Sequence, residues 1–178
     1  MRYRRSNIGG GTYFFTVNLA ERSRSLLVDH IDTLREAIRF VKERHPFHID
    51  AMVVLPDHVH AVWTLPYGDA DYPTRWMLIK AGFSRRLPKG ERINASRRGK
   101  GERGLWQRRY WEHTIRDDED FCQHVDYIHY NPVKHGYVRH PAEWPYSSIH
   151  RYLRHDTMSA NWGAAIDLVD GGEFGELR

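Results

Sequence analysis

Phe47-His48-Ile49-Asp50-Ala51-Met52-Val53-Val54-Leu55-Pro56-Asp57-His58-Val59-His60-Ala61-Val62-Trp63-Thr64-Leu65 reads as two strands joined at a turn. Phe47, Ile49, Ala51, Val53 and Leu55 alternate with His48, Asp50, Met52 and Val54. Beyond Pro56-Asp57, Val59, Ala61, Trp63 and Leu65 alternate with His58, His60, Val62 and Thr64. Period-two alternation sends successive side chains to opposite faces of a sheet. Each strand therefore has one wholly apolar face for helices to cover and a second face that is partly polar.

Working outward, Thr12 to Leu19 alternates in the same way, with Tyr13, Phe15, Val17 and Leu19 on one side and Phe14 interrupting the polar side. Asp29 to Arg44 places Ile31, Leu34, Ile38 and Val41 on one helical stripe, and Pro46 stops it. A second helix is expected from about Thr74 to Leu87 and a fourth strand from Leu105 to Ile115. A third helix should begin behind the acidic run Asp117-Asp118-Glu119-Asp120 and end at Asn131, before Pro132. The order strand, helix, strand, strand, helix, strand, helix predicts an α+β, ferredoxin-like (RRM-like) split βαβ fold. Its antiparallel sheet has two helices on one face, and the last helix is left to approach the other.

The chain has 178 residues and a mass of 21.1 kDa, which fits a single domain over residues 1–155 followed by an acidic, Gly-containing tail over 156–178. Cys122 is the only cysteine, so no internal disulfide can form and a reducing, cytoplasmic setting is expected. No apolar run approaches the roughly 20 residues that span a bilayer, and no signal peptide is visible. Membrane partners are therefore not expected. The net charge of +4 conceals an asymmetry: Lys80 to Arg109 holds eleven Lys or Arg against two Glu. Phe83, Trp106 and Tyr110 lie in or beside this stretch. Concentrated cations interleaved with aromatic rings are the footprint of a nucleic-acid partner, although Lys89 to Arg103 alone would also read as a solvated loop.

The pair His58 and His60 stands at strand spacing, so both imidazoles project from one face and can share a cation while Val59 and Ala61 pack inward. With 12 histidines in the chain, roughly one such pair is expected by chance, and two surface histidines on a half-exposed sheet would look the same. Two imidazoles and one oxygen ligand would suit Mg²⁺ or Mn²⁺ acting on a phosphate, with Zn²⁺ as a softer competitor. The helix from Asp117 to Asn131 shows His124, Tyr127 and Asn131 on one face, so a nucleophile and an oxygen ligand can come from one element. A core aromatic at Tyr127 and a helix terminator at Asn131 are the plainer readings of the same residues.

Four stretches carry a resemblance. They are Val54 to Trp63; Arg75-Trp76-Met77-Leu78-Ile79-Lys80; Trp106-Gln107-Arg108-Arg109-Tyr110-Trp111-Glu112-His113; and Asp126-Tyr127-Ile128-His129-Tyr130-Asn131-Pro132-Val133-Lys134. In this order, and with Trp144-Pro145-Tyr146-Ser147-Ser148 behind them, they resemble the REP-associated tyrosine transposases over about Tyr3 to Tyr152. These are single-tyrosine relatives of the insertion-sequence transposases, of the type called HUH endonucleases. The resemblance implies metal ligation by His58 and His60, nucleophilic attack by Tyr127, and Asn131 as the ligand that completes the site. His113 competes as third ligand and Tyr130 as nucleophile, but only Tyr127 stands in the Tyr-Ile-x-x-Asn-Pro context. The implied substrate is single-stranded DNA folded into the short hairpins of repetitive extragenic palindromes. It would be cut and rejoined through a 5′-phosphotyrosine without ATP, in keeping with the missing phosphate-binding Gly-rich loop. Arg4 and Arg5, together with Lys80, Arg85, Arg86, Arg97, Arg98, Arg108 and Arg109, are the expected contacts to the DNA backbone. A monomer is favoured over a homodimer. Two other readings fit the same residues: a non-catalytic nucleic-acid-binding module, and a metal-dependent phosphodiesterase in which water attacks.

Overall fold

The computed structural model describes residues 9–91, 93, 95–155 and 157. The elements are β1 (Thr12–Asn18), α1 (Leu26–Asp29), α2 (Ile31–Arg44), β2 (His48–Val54), β3 (His58–Thr64), α3 (Tyr72–Arg86), α4 (Ala95–Arg98), β4 (Trp111–Thr114), α5 (Asp118–Lys134) and α6 (Ile149–Arg154). The four strands form one sheet in the order β2-β3-β1-β4, and every pairing is antiparallel. This is the ferredoxin-like arrangement expected from the element order. Arg4, Arg5 and nearly all of the acidic tail lie outside the described residues.

One face of the sheet carries Tyr13, Phe15, Val17, Val59, Ala61 and Trp63, which pack with Leu34, Ala37, Ile38 and Val41 of α2 and with Trp76, Ile79 and Phe83 of α3. The two helices approach closely at Gly82, where an added Cβ would stand 3.4 Å from that of Ala37. Asp71 starts α3 by accepting from the Thr74 amide at 3.2 Å, and Pro73 sits in the first turn, where its missing N–H costs nothing. Arg75, almost wholly buried, ties the start of α3 to Asp69 and to the carbonyls of His45 and Pro46.

The other face carries Phe14, Ala51, Val53, Leu55 and Val62 beneath Val125, Tyr127 and Ile128 of α5. Phe14, which looked like a break in the polar side of β1, is thus an inward-facing residue of a second core. The helix that covers it arrives more than a hundred residues later.

Three expectations are corrected. The alternation of β2 changes phase at a bulge between Ile49 and Ala51, so Ala51 and Val53 face α5 whereas Phe47 and Met52 face the other core. The fourth strand is only Trp111–Thr114, because the chain touches β1 through a single Leu19–Trp106 bridge and rejoins it at Thr16–Trp111. Arg108 and Arg109 stand in the excursion between those two points. Finally, α5 does not stop before Pro132 but runs through it to Lys134. Proline in a last turn forfeits one helix bond, and the turn then closes with Gly136 at φ +72° and the Tyr137 amide on the Pro132 carbonyl at 3.0 Å.

The Trp144-Pro145-Tyr146-Ser147-Ser148 stretch covers the outer edge of β2. The Val54 amide donates to the Tyr146 carbonyl at 2.9 Å, the Ser148 amide to the Met52 carbonyl at 2.8 Å, and Trp144 Nε1 to the Val54 carbonyl at 2.9 Å. An edge strand that would otherwise present open hydrogen-bonding groups is closed.

Candidate active site

His58 and His60 project from β3 toward α5, with ring centroids 4.8 Å apart, and both are buried. The turn before the strand sets the tautomer of the first. Asp57 Oδ1 lies 2.7 Å from His58 Nδ1, and Arg22 Nε lies 2.5 Å from the other carboxylate oxygen. Burial raises the Asp57 carboxyl, but the hydrogen bonds and charges of His58 and Arg22 outweigh it and hold the group at about 2. An ionised carboxylate can only accept, so Nδ1 carries a proton, and Nε2 is the nitrogen left to serve as a ligand when the ring is neutral. That Nε2 is buried without a hydrogen-bond partner among the described residues. A bare, buried imidazole nitrogen whose opposite nitrogen is fixed by a carboxylate is the arrangement of a metal-ligating histidine. His60 is oriented similarly, its Nδ1 2.9 Å from Thr16 Oγ1 on the neighbouring strand.

Helix α5 brings Tyr127 over this pair. Its ring lies 5.3 Å from that of His60 and 6.1 Å from that of Phe14, and the residue is 3% exposed. Lys134, two turns along the same helix, donates from Nζ to the Tyr127 phenol oxygen at 3.2 Å and also sits 4.8 Å from the ring centroid. Asn131, fully buried, lies between them on the helix, and His135 brings its ring to 5.3 Å from that of His58. The structure therefore assembles His58, His60 and Tyr127 in one place, with Asn131 one turn beyond. Asp57, Thr16, Lys134 and His135 join them without having been singled out from the sequence. The signal for Asp57 was its position beside His58 in a turn.

His113 goes elsewhere. Its Nε2 lies 2.8 Å from Asp120 Oδ2, and its ring stacks on that of His124 at 4.7 Å. His124 Nδ1 is 2.7 Å from the Asp120 carbonyl oxygen, and Arg116 donates to the same carboxylate through its amide and Nε, each at 3.0 Å. Burial raises the Asp120 carboxyl, but its bonds to His113 and Arg116 prevail and hold it at about 2. Burial pushes the His124 imidazole down. His113, Asp120 and His124 offer ligand atoms within 4.8 Å of one another, a grouping able to hold a metal. Phe14 stands between the two groups, its ring 4.7 Å from His124 and 5.6 Å from His60.

The basic stretch forms a groove of about 870 Å³ between α3 and residues 101–110, lined by Met77, Lys80, Arg85, Arg97, Trp106 and Arg108 among others. Its cations are unequal. Lys80 is held over Tyr110 at 4.9 Å and against the Gln107 carbonyl at 3.2 Å, and burial lowers its ammonium to about 8. Arg97 donates to the Trp106 carbonyl, and Arg108 to Glu102 and Ser96. Arg103 ties the loop to Glu91 and to the carbonyls of Ser84, Leu87 and Pro88, so its guanidinium is held by the protein. Arg85, which lines the groove, and Arg86, Arg98 and Arg109, which lie outside its lining, are exposed, as is Arg108. The groove lies on the α3 side of the sheet, whereas the histidine pair faces α5; the Gln107 amide joins its rim to β1 by donating to the Asn18 carbonyl at 2.9 Å. No helix among the described residues is long and apolar enough to cross a membrane.

Residues 11–131 match the family described as IS200-like transposases. A REP-associated tyrosine transposase of Escherichia coli is 43% identical over 171 residues, 96% of each chain. A Haemophilus influenzae protein given the same family name is 46% identical over 173 residues, 97% of this chain and 98% of its own. The fold also superimposes on a solved structure of a REP-associated tyrosine transposase bound to a REP hairpin, with a TM-score of 0.85 and 43% identity, covering 100% of this chain and 98% of that one. With the histidine pair and the tyrosine helix on one ferredoxin-like sheet, the chain belongs to the IS200-like transposases and, within them, to the REP-associated tyrosine transposases.

Proposed function

We propose that this chain cuts and rejoins single-stranded DNA at hairpin-forming repetitive extragenic palindromes, with Tyr127 as nucleophile and His58, His60 and Asn131 as ligands of Mg²⁺ or Mn²⁺. The observation that carries the reading is the setting of Tyr127, its ring against His60 and its oxygen 3.2 Å from the Lys134 ammonium. The bare Nε2 of His58, fixed by Asp57, supports the metal assignment. Two imidazoles and a carboxamide oxygen fit a divalent cation with positions left for phosphate oxygens. Such an ion, when bound, withdraws charge from the scissile phosphate as a Lewis acid.

A free phenol titrates near 10, so only about one in a thousand is ionised at pH 7. Lys134 places a positive charge where the phenolate charge would grow, and the buried ring of Tyr127 keeps the oxygen in one place. The phenol gives up its proton as its oxygen bonds to phosphorus. The bond from phosphorus to the 3′ oxygen breaks, and that oxygen leaves as a hydroxyl. One phosphodiester replaces another, so the bond energy is kept in the 5′-phosphotyrosine and attack by a 3′-hydroxyl reverses the step.

The basic groove supports a hairpin partner. A monomer is the proposed working unit, with Tyr127 meeting the histidine pair of its own chain, its ring 5.3 Å from that of His60. The test is incubation with a labelled hairpin and Mn²⁺ or Mg²⁺, followed by denaturing electrophoresis. A covalent adduct lost both in Tyr127→Phe and with chelator is expected. Cleavage that survives Tyr127→Phe would make water the nucleophile, and tight binding without cleavage by the wild type would make the chain a binding module.

A further inference from the structure

Helix α5 ends in a row of rings that the reaction above does not use. From His58 the row passes to His135 at 5.3 Å, on to Tyr137 at 6.0 Å, and then to Trp144, whose ring stacks on Tyr137 at 5.3 Å with planes 29° apart. Tyr137 thus stands two ring contacts from the histidine with the bare nitrogen, yet 44% of its surface is open. The chain is 13% aromatic, but large apolar side chains exposed to this degree are few among the described residues: Phe40, Tyr67 and Met77 besides Tyr137. Only Tyr137 of these lies beside the candidate site.

Its support is rigid. Gly136 at φ +72° and the bond from the Tyr137 amide to the Pro132 carbonyl at 3.0 Å fix the backbone, and Trp144 is itself pinned through Nε1 to the Val54 carbonyl at 2.9 Å. Exposed Lys134 and Arg139 lie on either side of it in sequence, while the Asp57 carboxylate and Arg22 act on its phenol. A fixed, half-open aromatic ring backed by a second ring and flanked by cations is the makeup of a stacking platform for unpaired nucleobases. Every base has a π-face, so such a platform grips a strand with little regard to sequence.

Resting on the reading of the chain as a single-strand transesterase, we infer that Tyr137, backed by Trp144, is a stacking subsite for an unpaired nucleobase flanking the scissile phosphate. The subsite holds the single strand so that the phosphate next to that base lies over His58 and His60. A duplex stem cannot use it, because its bases are already stacked on one another.

The experiment uses the full chain and two synthetic DNAs: a hairpin with an unpaired flank carrying 2-aminopurine at successive positions, and the same hairpin without a flank. With the wild type, one flank position should change its fluorescence sharply on binding. Tyr137→Ala should remove that signal and weaken binding of the flanked hairpin about tenfold, to the level of the flank-free hairpin, whose own affinity stays within twofold. Tyr137→Phe should restore both, since the ring and not the hydroxyl does the stacking. Equal binding of the flanked hairpin by the wild type and Tyr137→Ala would overturn the subsite, as would equal losses on both DNAs, which would mark Tyr137 as merely structural. A wild-type adduct on the flanked hairpin upholds the transesterase activity whatever Tyr137 does. A wild type that neither binds the hairpin nor forms an adduct removes both.

Discussion

Lys134 and Asp57 show how much of the site depends on side chains outside the histidine and tyrosine motifs. Lys134 is the cation that meets the Tyr127 oxygen, and a charge-assisted hydrogen bond of this kind is worth about 1.5–3 kcal/mol. Lys134→Met should therefore slow adduct formation by roughly 10- to 100-fold, while hairpin affinity changes far less; single-turnover kinetics against a binding titration separates the two. Asp57→Ala frees the His58 ring to turn and to take the other tautomer, and loss of such a partner lowers metal affinity or activity about 10–100-fold. A raised Mn²⁺ requirement for cleavage is expected, and an unchanged Mn²⁺ titration would remove Asp57 from the metal site. His58, His60, Tyr127 and Asn131 could be named from strand spacing, helix spacing and family context. Lys134 could not be placed, because a lysine near a helix end is ordinarily a solvated charge. The pairing of His113 with Asp120 was likewise invisible to sequence, since spacing alone marks Asp120 only as a residue of the helix start.

At the scale of elements, α5 joins the tyrosine to the fold, and its inner side is sensitive to acid. His129 is wholly buried, with Nε2 2.8 Å from Ser148 Oγ, and burial, aided by Arg151 and His150, pushes the imidazole down to about 3. The unfolded chain therefore takes up a proton near pH 6.5 that the folded chain refuses. The contribution of His129 to stability is complete above that pH and falls by roughly 1.4 kcal/mol per unit from about 6.5 toward about 3. Denaturant unfolding at pH 7 and pH 5 should show a loss of about 2 kcal/mol from this group, and His129→Gln should flatten that part of the profile. An unchanged profile in the variant would place the acid sensitivity elsewhere. The strand and helix order was legible because the apolar periods are clean. The short β4, the bulge at Asp50 and the passage of α5 through Pro132 were not, since each is decided by distant partners: the Asn18 and Leu19 backbone, the covering residues 144–152, and the turn closed by Gly136.

Across the whole molecule, charge divides into what holds the groove and what stands exposed beside it. Lys80, Arg97, Arg103 and Arg108 are engaged with the protein, so replacing them tests folding of the loop as much as DNA contact. Arg98 and Arg109 are exposed, which makes them the cleaner pair. Each phosphate contact removed lowers the slope of log K against log salt by about 0.9. Arg98→Gln with Arg109→Gln should therefore lower the slope for hairpin binding by up to about 2 and leave the thermal midpoint unchanged. A slope equal to that of the wild type would move the hairpin away from this surface. The basic cluster was readable from composition, but the division of labour within it depends on the carbonyls of Trp106 and Gln107, which no local pattern announces.

The proposed reaction requires Tyr127 as the covalent link. The direct measurement is to trap the protein on a hairpin labelled on the strand downstream of the cut, digest with protease and identify the DNA-bearing peptide by mass spectrometry. A phosphodiester on Tyr127, joined to the 5′ end of the downstream strand and accompanied by a free 3′-hydroxyl upstream, is the predicted result. DNA attached to Tyr130 or Tyr137, a link to the 3′ end, or cleaved DNA with no peptide attached would contradict it.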